Sequence, residues 1–175
     1  MLDAAGVEYQ FARPEVDEDE FKLGLSDPAD IASQLAIAKA KSVLGAWVIG
    51  SDSVVRVGER VFNKPADRDE AAEHLRFFSG KEMFLISAVA LVRGGELDWS
   101  HVETATLKVR KLSEAFVSDY LDAEWPEVGY TVGVFRLEGP GVQLFDSIDG
   151  DYFTILGMPL IPLLGALRDR RLLGS

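Results

Sequence analysis

Four charged side chains occupy positions where they could act on a phosphate group. Asp52 lies between two apolar runs, and a carboxylate there is costly to bury unless it is paired or bound to a metal. Lys39 lies close to the apolar face of a predicted helix, and Lys64 closes a predicted hairpin. Glu18 lies in an acidic run. Carboxylates together with lysines favour metal-assisted attack of water on a phosphorus centre.

Each of these residues also has an interpretation without catalysis. Asp52 equally fits a turn aspartate bonded to nearby amides, and Lys64, taken alone, is more typical of an exposed loop lysine. Lys39 fits a lysine at the rim of its helix, where its aliphatic stem covers apolar surface. Glu18 has no compositional feature that separates it from its acidic neighbours, and such runs are usually solvated. The residue types alone therefore leave both interpretations open.

Other kinds of catalytic site have no support in the sequence. The histidines, His74 and His101, are isolated and lack metal-ligand spacing. There is no Ser-His-Asp arrangement, Walker loop or dinucleotide-binding fingerprint. The chain has no cysteine, which excludes disulfides and thiolate chemistry and fits a reducing compartment. Conventional nucleophilic catalysis is therefore not expected.

The charge of the chain restricts its partners. With 18 basic and 29 acidic residues its formal charge is −11, which opposes nucleic-acid binding. It also opposes a nucleotide, so a phosphate site must depend on local lysines, backbone amides and a metal ion. No apolar run of membrane-spanning length and no signal-peptide pattern occurs. We expect a cytoplasmic protein without a membrane partner.

Helices and strands alternate along a chain whose 175 residues suit one domain, 1–175. The predicted helices begin at or directly after four residues, which are Asp27, Asp67, Ser113 and Pro159. The predicted strands cover 46–50, 54–57, 61–62, 83–93 and 96–110, with two further runs on either side of 139–141. Because hairpins occur among interleaved elements, we predict an α/β fold with a mixed central sheet and flanking helices.

Seven short blocks follow one another in a definite order along nearly the whole chain. They cover 16–18, 35–40, 49–55, 63–67, 79–81, 137–139, and the tail 149–152 with 156–160. Together they resemble the Maf family of nucleotide pyrophosphatases. The resemblance implies a single Maf-like domain with a Maf/inosine-triphosphatase-like fold, elongated and with a central cleft.

The resemblance also implies a role for each candidate residue. Asp52 resembles the catalytic carboxylate, acting as general base or holding the metal that activates water, and Glu18 resembles a second acidic residue that assists metal binding. Lys39 and Lys64 resemble the lysines that neutralise the triphosphate and stabilise the leaving pyrophosphate. The implied reaction is hydrolysis between the α and β phosphates of a nucleoside triphosphate. The implied metal is Mg²⁺, with Mn²⁺ as an alternative.

Two positions bear on the base of the nucleotide. Ser53 follows Asp52, and Glu138 precedes Gly139, which resembles the branch of the family that acts on 7-methyl-GTP. The branch that acts on uridine and thymidine triphosphates typically has Asp-Thr-Val and Gln-Gly instead. A carboxylate can accept hydrogen bonds from the ring N–H and amino group of guanine. We expect Ser53 and Glu138 to bind substrate, although Glu138 equally fits a residue that merely precedes a turn.

One part of the family pattern is missing at the N-terminus. Family members usually open with an apolar strand and a Ser-x-Ser-x-x-Arg-Arg-type loop expected to grip phosphate, whereas residues 1–9 resemble the segment after that loop. Either the true start lies upstream or the protein lacks this strand and clamp. The alternative functions are therefore a catalytically weak nucleotide-binding regulator of septation and a structural domain with a decayed site. The resemblance is also compatible with a homodimer.

Overall fold

The computed structural model describes residues 1–18 and 25–174. In these ranges the β-strands are β1 (Trp47–Val57), β2 (Arg60–Phe62), β3 (Glu82–Arg93), β4 (Glu96–Val109) and β5 (Phe145–Asp149). The α-helices are α1 (Pro28–Lys41), α2 (Arg68–Phe78), α3 (Glu114–Glu124), α4 (Tyr152–Ile155) and α5 (Leu160–Asp169). Short 3₁₀ turns cover Asp3–Ala5, Glu127–Tyr130 and Pro140–Leu144. Within this described part of the chain, no helix is both long enough and apolar enough to cross a membrane.

The strands form one sheet in the order β2-β1-β3-β4-β5. β2 runs antiparallel to β1, with Val55 opposite Phe62, and β5 runs antiparallel to β4. The amide of Gly94, at the end of β3, donates to the carbonyl of Ala46, just before β1, over 3.2 Å. The start of β1 thus lies beside the end of β3, and a tight turn joins β3 to β4, which permits only antiparallel pairing. The predicted α/β class with flanking helices is confirmed, and the sheet is antiparallel rather than mixed.

The structure differs from the predicted elements in two places. β1 is continuous through Trp47–Val57, so Asp52 lies inside a strand and not directly after one. The polar run 50–53 does not interrupt the strand, because the hydrogen bonds between strands use backbone groups only. The run before Gly139 forms no strand in the described residues. Val134 in that run has a φ of 55°, which is incompatible with an extended strand.

The helix starts follow the predicted N-caps. Asp27 Oδ1 accepts a hydrogen bond from the amide of Ala29 over 2.7 Å, and Ser113 Oγ accepts one from the amide of Phe116 over 3.1 Å. Asp67 caps α2 in the same way. These side chains satisfy amides that have no partner within the first helical turn. The predicted C-terminal helix forms as α5.

The chain divides into two compact units. Unit 1 comprises Met1–Ser53, Ile86–Glu103 and Asp151–Ser175. Its core is built from apolar side chains of the N-terminal segment, β3, the segment before α5, and α5 itself, which are Val7, Val89, Leu91, Met158, Leu160, Leu163, Ala166 and Leu167. His101 stacks on Trp99 with ring centroids 6.1 Å apart. The prediction of one domain over 1–175 stays a prediction.

Unit 2 comprises Val54–Leu85 and Thr104–Gly150. Phe62 packs edge-on against Phe78 and against His74, with ring centroids 4.8 and 5.0 Å apart. Burial lowers the pKa of His74, so its imidazole is neutral at pH 7. This isolated histidine is therefore part of an aromatic core.

Helix α1 lies directly on strand β1 at Gly50. A Cβ at this position would lie 2.2 Å from the carbonyl oxygen of Ala36 and 2.7 Å from the amide nitrogen of Ala40. Ala36 and Ala40 are completely buried. The helix backbone thus approaches the strand so closely that only glycine fits at position 50.

We expect Gly50→Ala to lower the free energy of unfolding by about 2 kcal/mol, because the added methyl group must push α1 away from β1. Urea unfolding of the two proteins measures the difference. Gly165→Ala in α5 is the matched control, because a Cβ there would meet nothing within 4 Å. We expect this control to be neutral or to raise stability by up to about 1 kcal/mol. Equal effects of the two substitutions would contradict the close approach at Gly50.

Candidate active site

Three of the predicted site residues lie together in unit 1. The ammonium nitrogen Nζ of Lys39 lies 2.6 Å from Asp52 Oδ1 and 2.7 Å from Glu18 Oε1. The exposed fractions of the side chains are 18% for Lys39, 10% for Asp52 and 41% for Glu18. We call these residues the carboxylate–lysine cluster. Its distances are those of charge-assisted hydrogen bonds, which are stronger than neutral ones.

The contact at Gly50 positions two members of this cluster. Side chains of a strand alternate between its faces, so Gly50 and Asp52 face the same side of β1. Gly50 lies under α1, and Asp52 is the next side chain along that face. Lys39 lies in the last turn of α1, between the contact residues Ala36 and Ala40, and reaches Asp52 from there. The packing of helix on strand therefore brings the lysine to the carboxylate.

The two carboxylates keep Lys39 charged. Burial alone would lower the pKa of its ammonium group, but the hydrogen bonds to Asp52 and Glu18 outweigh burial, and the pKa is raised above its usual value. At neutral pH the cluster thus contains a permanent cation between two acidic side chains. With one cation and two carboxylates the cluster is net negative, so a phosphate bound there would need further positive charge, such as that of a divalent ion.

Asp52 and Glu18 also fit a divalent metal. Their carboxylates converge on one point, which the ammonium group of Lys39 occupies, so a metal ion bound by both would take over contacts that Lys39 makes. Mg²⁺ is usually held by one or two carboxylates, with phosphate oxygens and water completing its coordination. Residues 1–18 and 25–174 contain no group of three or more histidine, aspartate or glutamate side chains suited to a metal. A metal at this cluster would therefore share its coordination with the substrate.

Ser53 lies in a chain of internal hydrogen bonds. Its Oγ lies 2.7 Å from Ser87 Oγ and 3.2 Å from the carbonyl oxygen of Gly157. Ser87 Oγ in turn lies 2.8 Å from the carbonyl oxygen of Thr154. These bonds hold β1 to β3 and to the segment around α4, directly next to Asp52. A contact of Ser53 with substrate stays a prediction.

Ser87 is a residue that the sequence analysis missed. It is completely buried in β3, within the apolar run 83–92. A single hydroxyl in such a run needs an internal partner. A serine inside an apolar run could have been recognised in the sequence as a residue that needs a hydrogen-bond partner. The sequence does not reveal that this partner is Ser53.

The other two predicted residues, Lys64 and Glu138, belong to unit 2. Lys64 is exposed and is followed by the buried Pro65. Glu138 is exposed in a turn where the amide of Gly139 donates to the carbonyl of Arg136 over 3.2 Å. Both side chains are thus presented to solvent, and their parts in binding and catalysis stay predictions.

Known proteins resemble this chain over nearly its whole length. The sequence profile of the family described as Maf-like protein matches residues 1–170. A 7-methyl-GTP pyrophosphatase of Rhizobium meliloti (strain 1021) is 45% identical over 97% of this chain and 89% of its own length. A nucleoside triphosphate pyrophosphatase of Rhodopseudomonas palustris (strain BisB18) is 43% identical over 99% and 89% of the two chains. A 7-methyl-GTP pyrophosphatase of Brucella suis biovar 1 (strain 1330) is 43% identical over 96% and 88%.

We expect Lys39→Met to lower the free energy of unfolding by about 1 to 3 kcal/mol, because it leaves the largely buried Asp52 without its cation. Thermal and urea unfolding measure the loss. Lys41→Met is the matched control on the same helix, since Lys41 is 43% exposed and lies 3.9 Å from its partner Glu96. We expect the control to change stability by less than about 0.5 kcal/mol. A Lys39 variant as stable as the control would show that the cluster does not contribute to folding.

Proposed function

This chain belongs to the Maf family, and we propose that it is a nucleoside triphosphate pyrophosphatase, which hydrolyses its substrate to the nucleoside monophosphate and pyrophosphate. The observation that carries the proposal is the carboxylate–lysine cluster, where the Lys39 ammonium lies 2.6 Å from Asp52 and 2.7 Å from Glu18. Hydrolysis of a phosphoanhydride needs acidic groups to direct water or hold a metal, and positive charge to offset the phosphates. The cluster supplies both kinds of group.

Asp52 has the surroundings of a group that orients water. It is only 10% exposed, and the hydrogen bond from Lys39 fixes one of its oxygens. A carboxylate held in this way can accept the proton of an attacking water at its other oxygen. In this role Asp52 takes a proton from the water as the water oxygen forms a bond to the α-phosphorus, and the pyrophosphate leaves with the electron pair of the broken P–O bond.

Lys39 and Lys64 would offset the charge of the triphosphate. An ammonium group has three N–H donors, and the contacts to Asp52 and Glu18 use two of those on Lys39. Its third donor can be directed to a phosphate oxygen. Lys64 is exposed and can approach the leaving pyrophosphate without losing an ion pair among the described residues. A transferred phosphoryl group is stabilised chiefly by such positioned charges.

The proposal includes a divalent metal, Mg²⁺ or Mn²⁺, held by Asp52 and Glu18. When bound, the ion would neutralise phosphate charge and favour deprotonation of water. The support is the donor set: two carboxylates that converge on one cation, in a chain with a formal charge of −11. Oxygen donors of this kind suit these hard cations.

For the base of the nucleotide we propose 7-methylguanine. Glu138 is exposed, and its carboxylate can accept from the two N–H groups on the guanine edge. Methylation gives this base a positive charge, which strengthens hydrogen bonds to a carboxylate. Relatives from Rhizobium meliloti and Brucella suis are named for 7-methyl-GTP, and the relative from Rhodopseudomonas palustris for nucleoside triphosphates in general.

We expect pyrophosphate release from 7-methyl-GTP in the presence of Mg²⁺, with lower kcat/KM for UTP, dTTP and GTP. Asp52→Asn keeps the shape of the side chain and should reduce kcat by about 100-fold or more, because the amide cannot accept the proton. Asp30→Asn, an exposed position on α1, is the control and should leave kcat unchanged. No turnover with any triphosphate would contradict the proposal. Tight binding without turnover would favour a nucleotide-binding regulator instead.

We expect removal of divalent ions to abolish turnover. Dialysis against EDTA followed by titration with Mg²⁺ or Mn²⁺ should restore pyrophosphate release in a saturable way, because the ion offsets charge on the triphosphate. Glu18→Gln should raise the metal concentration needed for half-maximal activity by about 10-fold or more, since one of two carboxylates is lost. Full activity in EDTA would contradict the proposed metal requirement. It would not contradict the proposal that the chain hydrolyses nucleoside triphosphates.

A further inference from the structure

Glu124, the last residue of α3, is a buried carboxylate that the proposed reaction does not use. Its exposed fraction is 8%, and its Oε2 has no hydrogen-bond partner among the described residues. The guanidinium of Arg136 lies nearby, with Nε 3.4 Å from that oxygen. A buried carboxylate needs such a cation, because an unpaired charge is expensive to keep away from water.

The carboxylate of Glu124 lies close to both the first and the last residue of the turn that carries Glu138. The amide of Gly139 donates to the carbonyl of Arg136 over 3.2 Å, which closes a four-residue turn over 136–139. Arg136 is the first residue of this turn and pairs with Glu124. Gly139 is the last, and a Cβ there would lie 3.4 Å from Glu124 Oε2. Glu138, the third residue, is exposed between these two anchored ends.

The backbone around the turn is fixed at further points. A Cβ on Gly141 would lie 2.5 Å from the carbonyl oxygen of Arg136 and 2.7 Å from its amide nitrogen, so the chain folds back tightly on the start of the turn. The hydroxyl of Tyr120 on α3 donates to the carbonyl of Val134 over 3.0 Å. Burial and the nearby Glu124 raise the pKa of Tyr120, so the hydroxyl remains a donor. Helix α3 therefore holds the segment before the turn as well as the turn itself.

We propose that Glu124 and Arg136 are positioning residues that fix where Glu138 is presented and thereby set the base preference of the enzyme. The inference rests on the proposed function, in which Glu138 contacts the base. Discrimination by hydrogen bonds depends on donor and acceptor being held within a narrow range of distance and angle. A turn with a loosened end would let Glu138 adjust to other bases, so selectivity would fall while catalysis at the carboxylate–lysine cluster continues.

The test compares Glu124→Gln with the parent chain. The substitution keeps the shape of the side chain and removes the charge that attracts Arg136. We expect the ratio of kcat/KM for 7-methyl-GTP to that for UTP to fall by about 10-fold or more, through a higher KM for 7-methyl-GTP, with kcat nearly unchanged. Thermal unfolding is measured alongside. A purely structural role would lower stability and leave this ratio as it was.

Glu127→Gln is the matched control. Its carboxylate also faces Arg136, with Oε2 3.9 Å from Nη1, but the side chain is 61% exposed. We expect this variant to keep the parent ratio. If Glu124→Gln does not fold, Arg136→Lys replaces it as the test variant, because it keeps the positive charge and removes the planar guanidinium. We expect Arg136→Lys to lower the ratio of kcat/KM for 7-methyl-GTP to that for UTP by the same factor.

The base preference is also measured as the ratio of the Kd for the non-hydrolysable α,β-methylene analogue of UTP to the Kd for the corresponding analogue of 7-methyl-GTP. Absence of turnover in the parent chain would then contradict the proposed function, while the Kd ratio still tests the positioning role. A lower ratio in the test variant and an unchanged ratio in the control would support that role. An unchanged ratio in the test variant, or a parent chain without base preference, would overturn it.

Discussion

The close approach of α1 to β1 at Gly50 is the constraint on which the carboxylate–lysine cluster depends. A side chain at position 50 would separate helix from strand, and Lys39 could then no longer reach Asp52 at 2.6 Å. The approach requires three small residues in register, Ala36 and Ala40 on the helix and Gly50 on the strand. The geometry of the candidate site is therefore set by the packing of residues that carry no functional group.

The overall charge and the proposed function conflict, and the cluster supplies one local cation against that conflict. A chain with a formal charge of −11 repels the nucleotide that it is proposed to hydrolyse. Pairing Lys39 with two carboxylates raises the pKa of its ammonium group, so the cation persists where a phosphate would bind. The same pairing places two carboxylates where a divalent ion could add further positive charge. Local arrangement, and not overall composition, decides whether an acidic protein can bind a phosphate.

Local interactions could be predicted from the sequence, and distant ones could not. The caps at Asp27 and Ser113 depend on residues two or three positions away, so their types suffice. The position of Asp52 inside a strand depends on the pairing of β1 with β3, which the polar run around it conceals. Resemblance to a family could nominate Glu18, Lys39 and Asp52 together, but their distances required the fold. Ser87 and Glu124 were missed because their partners lie far along the chain.

The hydroxyl pair next to Asp52 has a further consequence. Ser53 and Ser87 have two hydroxyl protons for three contacts: the one between them, and those to the carbonyl oxygens of Gly157 and Thr154. Either Ser53 donates to Ser87 and Ser87 to the carbonyl of Thr154, or Ser87 donates to Ser53 and Ser53 to the carbonyl of Gly157. The two states differ only by rotation of two O–H bonds. The strand is thus anchored in both, while the direction of the hydrogen-bonded chain can invert without the displacement of any heavy atom.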